Sequence, residues 1–287
     1  EVARQSIVLL KNKDKLLPLK KDIRTLAVIG PNADNVYNML GDYTAPQADG
    51  TVVTVLDGIR QKVSKETRVL YAKGCAVRDS SRTGFKDAIE TARNADAVVM
   101  VMGGSSARDF SSEYEETGAA KVTINQISDM ESGEGYDRAT LHLMGRQLEL
   151  LEEISRLGKP VVLVLIKGRP LLMEGAIQEA EAIVDAWYPG MQGGNAVADV
   201  LFGDYNPAGR LTLSVPRSVG QLPVYYNTRR KGNRSRYVEE PGTPRYPFGY
   251  GLSYTTFSYT DMKVQVTEGS DDCRVDVTVT IQNQGTA

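Results

Sequence analysis

Short aliphatic runs with almost no polar residue recur along the first three-quarters of the chain, most of them alternating with helical patterns. They are Leu26–Ile29 (LAVI), Arg68–Tyr71 (RVLY), Ala97–Met102 (AVVMVM), Val161–Ile166 (VVLVLI), Ala182–Trp187 (AIVDAW) and Leu211–Val215. A strand with one solvated face alternates apolar and polar residues, so a continuous apolar run must be covered on both faces. The intervening segments carry the other period. Phe85, Ala88, Ile89 and Ala92 lie at i, i+3, i+4 and i+7, and Leu148, Leu151, Ile154 and Leu157 mark a second helical face closed by Gly158 and Pro160. Further helices are expected around Val55–Val63, before Ala182, and through Val197, Val200 and Leu201 to Gly203. The pattern predicts an α/β fold, a mostly parallel sheet of about six strands sandwiched by helices.

Beyond Val215 the character changes. Pro216, Pro223, Pro241, Pro244 and Pro247 punctuate a stretch rich in Arg, Tyr and Gly, read as an extended arm over 216–255 rather than another βα unit. From 256 to 287 the period becomes two: Val264 and Val266, then Val275, Val277, Val279 and Ile281, alternate with polar residues. That predicts half-buried antiparallel strands, and two strands alone are not independently stable, so this stretch reads as part of a larger β-domain. The α/β domain is assigned to 1–215. The opening Glu1-Val2-Ala3-Arg4 carries no initiator Met, basic n-region or apolar h-region and reads as the interior of a longer protein.

Composition narrows the chemistry. There is one histidine, His142, against 36 carboxylates, so an imidazole-dependent nucleophile would have to use that one residue. No CxxC or HExxH occurs, and no metal or other cofactor is expected. Cys75 and Cys273 read as two unpaired thiols. The formal net charge of −2 and the lack of a basic stripe argue against nucleic acid, and the longest aliphatic run, Val161–Ile166, is too short to span a membrane.

One connection is disproportionate. About 40 residues of weak periodicity separate the strand ending at Met102 from the helix beginning near Gly145, and structureless loops of that length are usually functional or disordered. The loop leaves the carboxyl end of a strand, the edge at which open α/β sheets bind ligands. It holds Asp109, Glu113, Glu115, Glu116, Asp129, Glu131, Glu134 and Asp137. Spacing alone does not choose among them. Gly133 and Gly135 flank Glu134, allowing a sharp turn that presents the carboxylate to a ligand, and Tyr136, Asp137 and Arg138 could supply an aromatic face and contacts that fix the loop. A glycine-rich surface turn satisfies the same pattern.

Ser132–Arg138 (SGEGYDR), with Leu141, Leu143, Gly145 and Gln147 behind it, resembles the catalytic loop of glycoside hydrolase family 3. Ala3–Asn12 (ARQSIVLLKN) is similar to the opening of that family's second domain. Trp187–Gly190 (WYPG), Gly193–Ala196 (GGNA) and Ala198–Arg210 (ADVLFGDYNPAGR) are similar to its later signatures. Pro247–Phe257 (PFGYGLSYTTF) resembles the junction to its fibronectin type III-like domain, of which 256–287 would be the start. Met144 departs from the family's usual proline. The resemblance implies a retaining, exo-acting β-glucosidase or β-xylosidase acting on terminal β-linked sugars of oligosaccharides or glycosides. It maps the general acid/base onto Glu134 and places the aspartate nucleophile on a barrel-type N-terminal domain absent from these residues, so the chain alone is expected to be inactive. It also implies periplasmic or extracellular residence. A non-catalytic carbohydrate-binding or scaffold domain is the alternative.

The remaining candidates have plainer readings. His142, between two leucines, is expected to pack or cap. Gly103-Gly104-Ser105-Ser106 follows a strand but lacks the spacing of a nucleotide-binding loop. Arg108 is either a sugar-hydroxyl contact or a surface arginine, and Trp187 is expected to pack. Arg229–Arg236, with five basic residues, reads as a solvated loop.

Overall fold

The computed structural model describes residues 1–107, 116, 129–227, 237–268 and 272–285. The chain forms two compact units, Glu1–Leu252 and Ser253–Ala287. In the first, chain order runs α1 (Val2–Ser6), β1 (Val8–Asn12), β2 (Thr25–Ile29), α2 (Val36–Leu40), α3 (Val55–Lys62), β3 (Arg68–Ala72) and α4 (Phe85–Arg93). It continues through β4 (Ala97–Gly103), α5 (Gln147–Ser155), β5 (Val161–Ile166), α6 (Glu174–Glu179), β6 (Ala182–Trp187) and α7 (Gly193–Leu201).

The strands form one six-stranded sheet in the order β1-β6-β5-β4-β2-β3. All neighbours are parallel except the edge strand β1, which runs antiparallel to β6 with Val8 opposite Asp185. Strands β4 and β5 are buried along their whole length, as their unbroken apolar runs require. One face, with Ala27, Ile29, Val98, Met100, Leu163 and Leu165, packs in a single core with Phe85 and Ala88 of α4, Leu150 and Ile154 of α5, and Ala176 of α6. The alternate residues, such as Val28, Val99, Val101 and Val164, are equally buried. Full burial contributes about 1.5–3 kcal/mol per large aliphatic side chain, more than the ~1 kcal/mol span of strand propensity, so two-sided packing sets these strands.

The expected six strands differ in one member. Leu211–Val215 is not in the sheet: Leu211 N–H donates to Tyr250 O at 2.9 Å and Val215 N–H to Tyr246 O at 2.8 Å, while Gly249 and Arg245 N–H return to Leu211 O and Val215 O. Its backbone groups are therefore satisfied by the arm, which folds back on the first unit. The sixth strand is β1, whose Val-Leu-Leu half is buried while its polar end closes the edge. There Lys11 donates through Nζ to the carbonyls of Ile177 and Ala180 at the end of α6, where a cation complements the helix carbonyls. Both cysteines are free, Cys75 buried and Cys273 exposed. Burial pushes the Cys75 thiol up to about 12.

The second unit is a hairpin of β7 (Phe257–Glu268) and β8 (Cys273–Asn283), with Val264 opposite Val277 and Val266 opposite Val275. The period-two pattern produces antiparallel strands as expected, but among the described residues its valines are exposed rather than half-buried, since two strands by themselves bury neither face.

Helices α3 and α7 cross at glycines. A Cβ on Gly58 would lie 2.1 Å from the carbonyl oxygen of Gly194, and one on Gly194 would lie 1.9 Å from that of Thr54. Asp199 of α7, buried, pairs with Arg4 of α1 and Lys62 of α3, fastening the three helices. Alanine in a helix interior ordinarily gains about 1 kcal/mol over glycine, but overpacking against backbone costs about 1–3 kcal/mol. Gly58→Ala is therefore expected to lower stability, seen as a reduced urea midpoint at unchanged m-value.

Candidate active site

The sheet order puts a topological switch point between β2 and β4. From β2 the chain moves outward to β3, returns to β4 beside β2, and then proceeds the other way through β5 and β6. The loops leaving the carboxyl ends of β2 and β4 therefore diverge around one crevice, the position at which sheets of this type bind ligands.

The polypeptide around that crevice is tightly tied. Asn32, after β2, is fully buried; its amide donates to Gly104 O at 3.0 Å and Ile166 O at 3.3 Å. Asn38 of α2 donates to Asn32 Oδ1 at 2.7 Å and accepts from Ser105 Oγ at 2.6 Å. Gln147, at the start of α5, accepts from Gly103 N–H at 2.9 Å and donates to Gly103 O at 2.9 Å, Val77 O at 3.1 Å and Met144 O at 3.2 Å. The long loop thus leaves the sheet and rejoins it at the same carboxamide.

Five of the eight loop carboxylates lie among the described residues, and the structure gives them different work. Asp129 Oδ1 accepts the amides of Val77 at 3.0 Å and Arg78 at 3.2 Å. The amides of Glu131 and Ser132 both donate to Ser105 O, at 2.8 and 3.2 Å. Glu131 is buried and its carboxylate is ion-paired with Arg138, which also donates to the His142 carbonyl. Its other oxygen, Oε1, has no hydrogen-bond partner among the described residues and lies where a Cβ on Gly104 would come within 2.0 Å. Glu116 and Asp137 are exposed. Asp109, Glu113 and Glu115 lie outside the described residues, as does Arg108.

Glu134 is exposed and stands at the tip between Gly133 (φ 109°) and Gly135 (φ 80°). Only glycine adopts these conformations freely. At Gly133 space also matters, since a Cβ would lie 2.8 Å from Asp42 Oδ2 and 2.6 Å from Met130 Cε. Across the crevice, in the segment that leads away from β2 and α2, Tyr43 OH donates to Glu134 Oε2 at 2.5 Å. Asp42 bridges two backbones: Oδ1 accepts Tyr43 N–H at 2.8 Å, and Oδ2 accepts Glu134 N–H in a long bond of 3.4 Å.

The other expected site residues have supporting places. Arg138 braces the loop from beneath through Glu131. The Tyr136 carbonyl accepts from Arg169 at 3.3 Å, and its ring lies 5.9 Å from the Arg78 guanidinium. His142 has an exposed side chain and contributes its backbone carbonyl. Trp187 packs: its ring centroid lies 3.7 Å from Lys167 Nζ, which forms a buried ion pair with Asp185 at 2.6 Å. Arg229–Arg236 lie outside the described residues. Asp42 and Tyr43 were not singled out from the sequence. The signal that could have found them is positional: Gly41-Asp42-Tyr43 belongs to the connection after β2, beside the strand that bears the long loop.

Comparison with known proteins gives the family. Residues 7–254 match the glycosyl hydrolase family 3 C-terminal domain. The chain belongs to glycoside hydrolase family 3, as that family's C-terminal domain. A β-xylosidase of Formosa agariphila is 42% identical over 99% of this chain and 37% of its own length. A periplasmic β-glucosidase of Salmonella typhimurium is 39% identical over 99% of this chain and 38% of its own. Among solved structures, a β-glucosidase from Erythrobacter marinus aligns with a TM-score of 0.81 and 37% identity over 99% of this chain and 38% of its own. The β-glucosidase of Listeria innocua in complex with isofagomine aligns with a TM-score of 0.77 and 30% identity, over 98% and 37%. The chain thus spans less than two-fifths of the length of these relatives.

Breaking the Glu131–Arg138 pair tests the brace. Removing one partner of a buried ion pair leaves an uncompensated charge and costs about 3–5 kcal/mol, whereas replacing both is far milder. Arg138→Met is expected to destabilise by about 3 kcal/mol in urea unfolding, and the double variant Glu131→Gln/Arg138→Met to recover much of that loss.

Proposed function

We propose that this domain supplies the general acid/base, Glu134, of a retaining, exo-acting β-glycosidase of the β-glucosidase or β-xylosidase type. The observation that carries the reading is the contrast between two carboxylates three residues apart. Glu131 is buried and ion-paired, while Glu134 is exposed between two glycines at the switch-point crevice of the sheet. The named activities of the relatives, β-xylosidase and β-glucosidase, support the reaction class.

The reaction would use two carboxyl groups about 5–5.5 Å apart. An aspartate on a separate barrel-type domain attacks the anomeric carbon while Glu134 donates its proton to the glycosidic oxygen, releasing the aglycone. Glu134, now ionised, takes a proton from water as that water attacks the glycosyl-enzyme and frees the aspartate. Glu134 must release a proton in the first step and accept one in the second, which requires a solvent-reachable carboxylate rather than one locked in a buried pair. The substrate would be a terminal β-linked sugar on an oligosaccharide or glycoside. A periplasmic or extracellular location accords with the periplasmic relative.

Two measurements check this. In the full-length enzyme carrying this domain, Glu134→Gln should slow hydrolysis of cellobiose or xylobiose by about 10²–10⁴-fold, the usual worth of general acid catalysis. It should largely spare the glycosylation step with activated aryl glycosides, with azide restoring turnover. Wild-type rates on the disaccharide would refute the assignment. The purified 287-residue chain should release no nitrophenol from p-nitrophenyl β-glucoside or β-xyloside. Turnover there would mean that the nucleophile lies within these residues.

A further inference from the structure

We propose that Tyr43 is a positioning residue for Glu134, and that Asp42 acts as the clasp that keeps the two together; this rests on the acid/base reading above. Tyr43 is 72% exposed, so packing does not explain where its hydroxyl lies, yet that hydroxyl sits 2.5 Å from Glu134 Oε2. The backbone is bent to put it there. Tyr43 has φ 56°, in the left-handed region that a bulky residue seldom occupies. Asp42 takes the Tyr43 amide on one carboxylate oxygen and the Glu134 amide on the other. One side chain therefore fixes the spacing between the phenol and the acid, and Gly133 leaves the room that this requires.

The consequence for chemistry follows from which oxygen is held. A phenol O–H donating to Oε2 fixes the orientation of the carboxyl plane. The same bond is strongest when Glu134 is ionised, so it favours the carboxylate that acts as base in the second half-reaction. Among the described residues, the charged and titratable side chains around Glu134 are those of Asp42 and Tyr43 from the facing segment, and Asp137 and Arg138 on its own loop, Arg138 being turned to Glu131. A phenol donor favours the ionised carboxylate, so removing the hydroxyl alone should make Glu134 a weaker acid.

The test is Tyr43→Phe in the full-length enzyme, which keeps the ring and removes only the hydroxyl. With cellobiose or xylobiose as substrate, kcat/KM should fall about tenfold, the worth of one hydrogen bond to a charged group. With p-nitrophenyl glycosides kcat/KM should change little. The basic limb of the kcat/KM–pH profile should move upward, and the urea midpoint should stay at the wild-type value. In a Glu134→Gln background the same substitution should add no further loss. Wild-type kcat/KM on the disaccharide with an unmoved basic limb, in an enzyme that Glu134→Gln does impair, would overturn the role of Tyr43 while leaving Glu134 in place. A uniform loss on all leaving groups without a limb shift would also overturn it, marking Tyr43 as merely structural. A Glu134→Gln enzyme as fast as wild type would sink both proposals.

Discussion

The carboxamide of Gln147 joins the two ends of the chain's longest excursion. It bonds both backbone groups of Gly103, the last residue of β4, and also the carbonyls of Val77 and Met144. Closing a loop of about 40 residues costs conformational entropy that grows only slowly with length, so the size of the excursion is affordable once its ends are fixed. What would be costly is a loose junction, because β4 is buried on both faces and its terminal amide and carbonyl need partners. A fully buried glutamine meets that need and sets where α5 begins. The sheet keeps an intact carboxyl edge, and the loop beyond it inherits a defined base.

On that base, two neighbouring acids acquire different characters. Glu131 is drawn inward by amide bonds to Ser105 and by Arg138, and becomes part of the scaffold. Glu134, one glycine turn later, remains in reach of solvent. Identical side chains three residues apart differ only in surroundings, and those surroundings come from Ser105 after β4, Gly104 beneath, and Asp42 and Tyr43 opposite. The inner acid holds the loop's root while the outer one is held by its tip.

Much of this was legible from the residues. Unbroken apolar runs cannot be half-solvated, so β2, β4, β5 and β6 and the two-sided sandwich followed directly, as did α4 and α5 from their 3.6-residue period. Two things did not follow. The run Ile7–Leu10 is as apolar as Leu26–Ile29 but has no helical period on either side to mark it as a sheet strand, and Leu211–Val215 looks like a strand but is satisfied by the arm at Arg245–Tyr250. Local pattern reports that a segment is extended and buried; it does not report its partner. The geometry of the candidate site was partly legible for the same reason. Gly133-Glu134-Gly135 is a local signal, whereas the juxtaposition of Tyr43 with Glu134 depends on β2 and β4 being neighbours, a property of sheet order rather than of spacing.

Asp42 spans two loops that belong to different βα units, so the tip that carries Glu134 and the segment facing it are tied to each other within this domain. Glu134 is thus held by contacts internal to the unit that carries it. Under the reading proposed here, delivery of the proton and recognition of the sugar become separable inheritances. One such device could be mated to pockets of different shape without being rebuilt, in keeping with relatives that bear the names of both a xylosidase and a glucosidase.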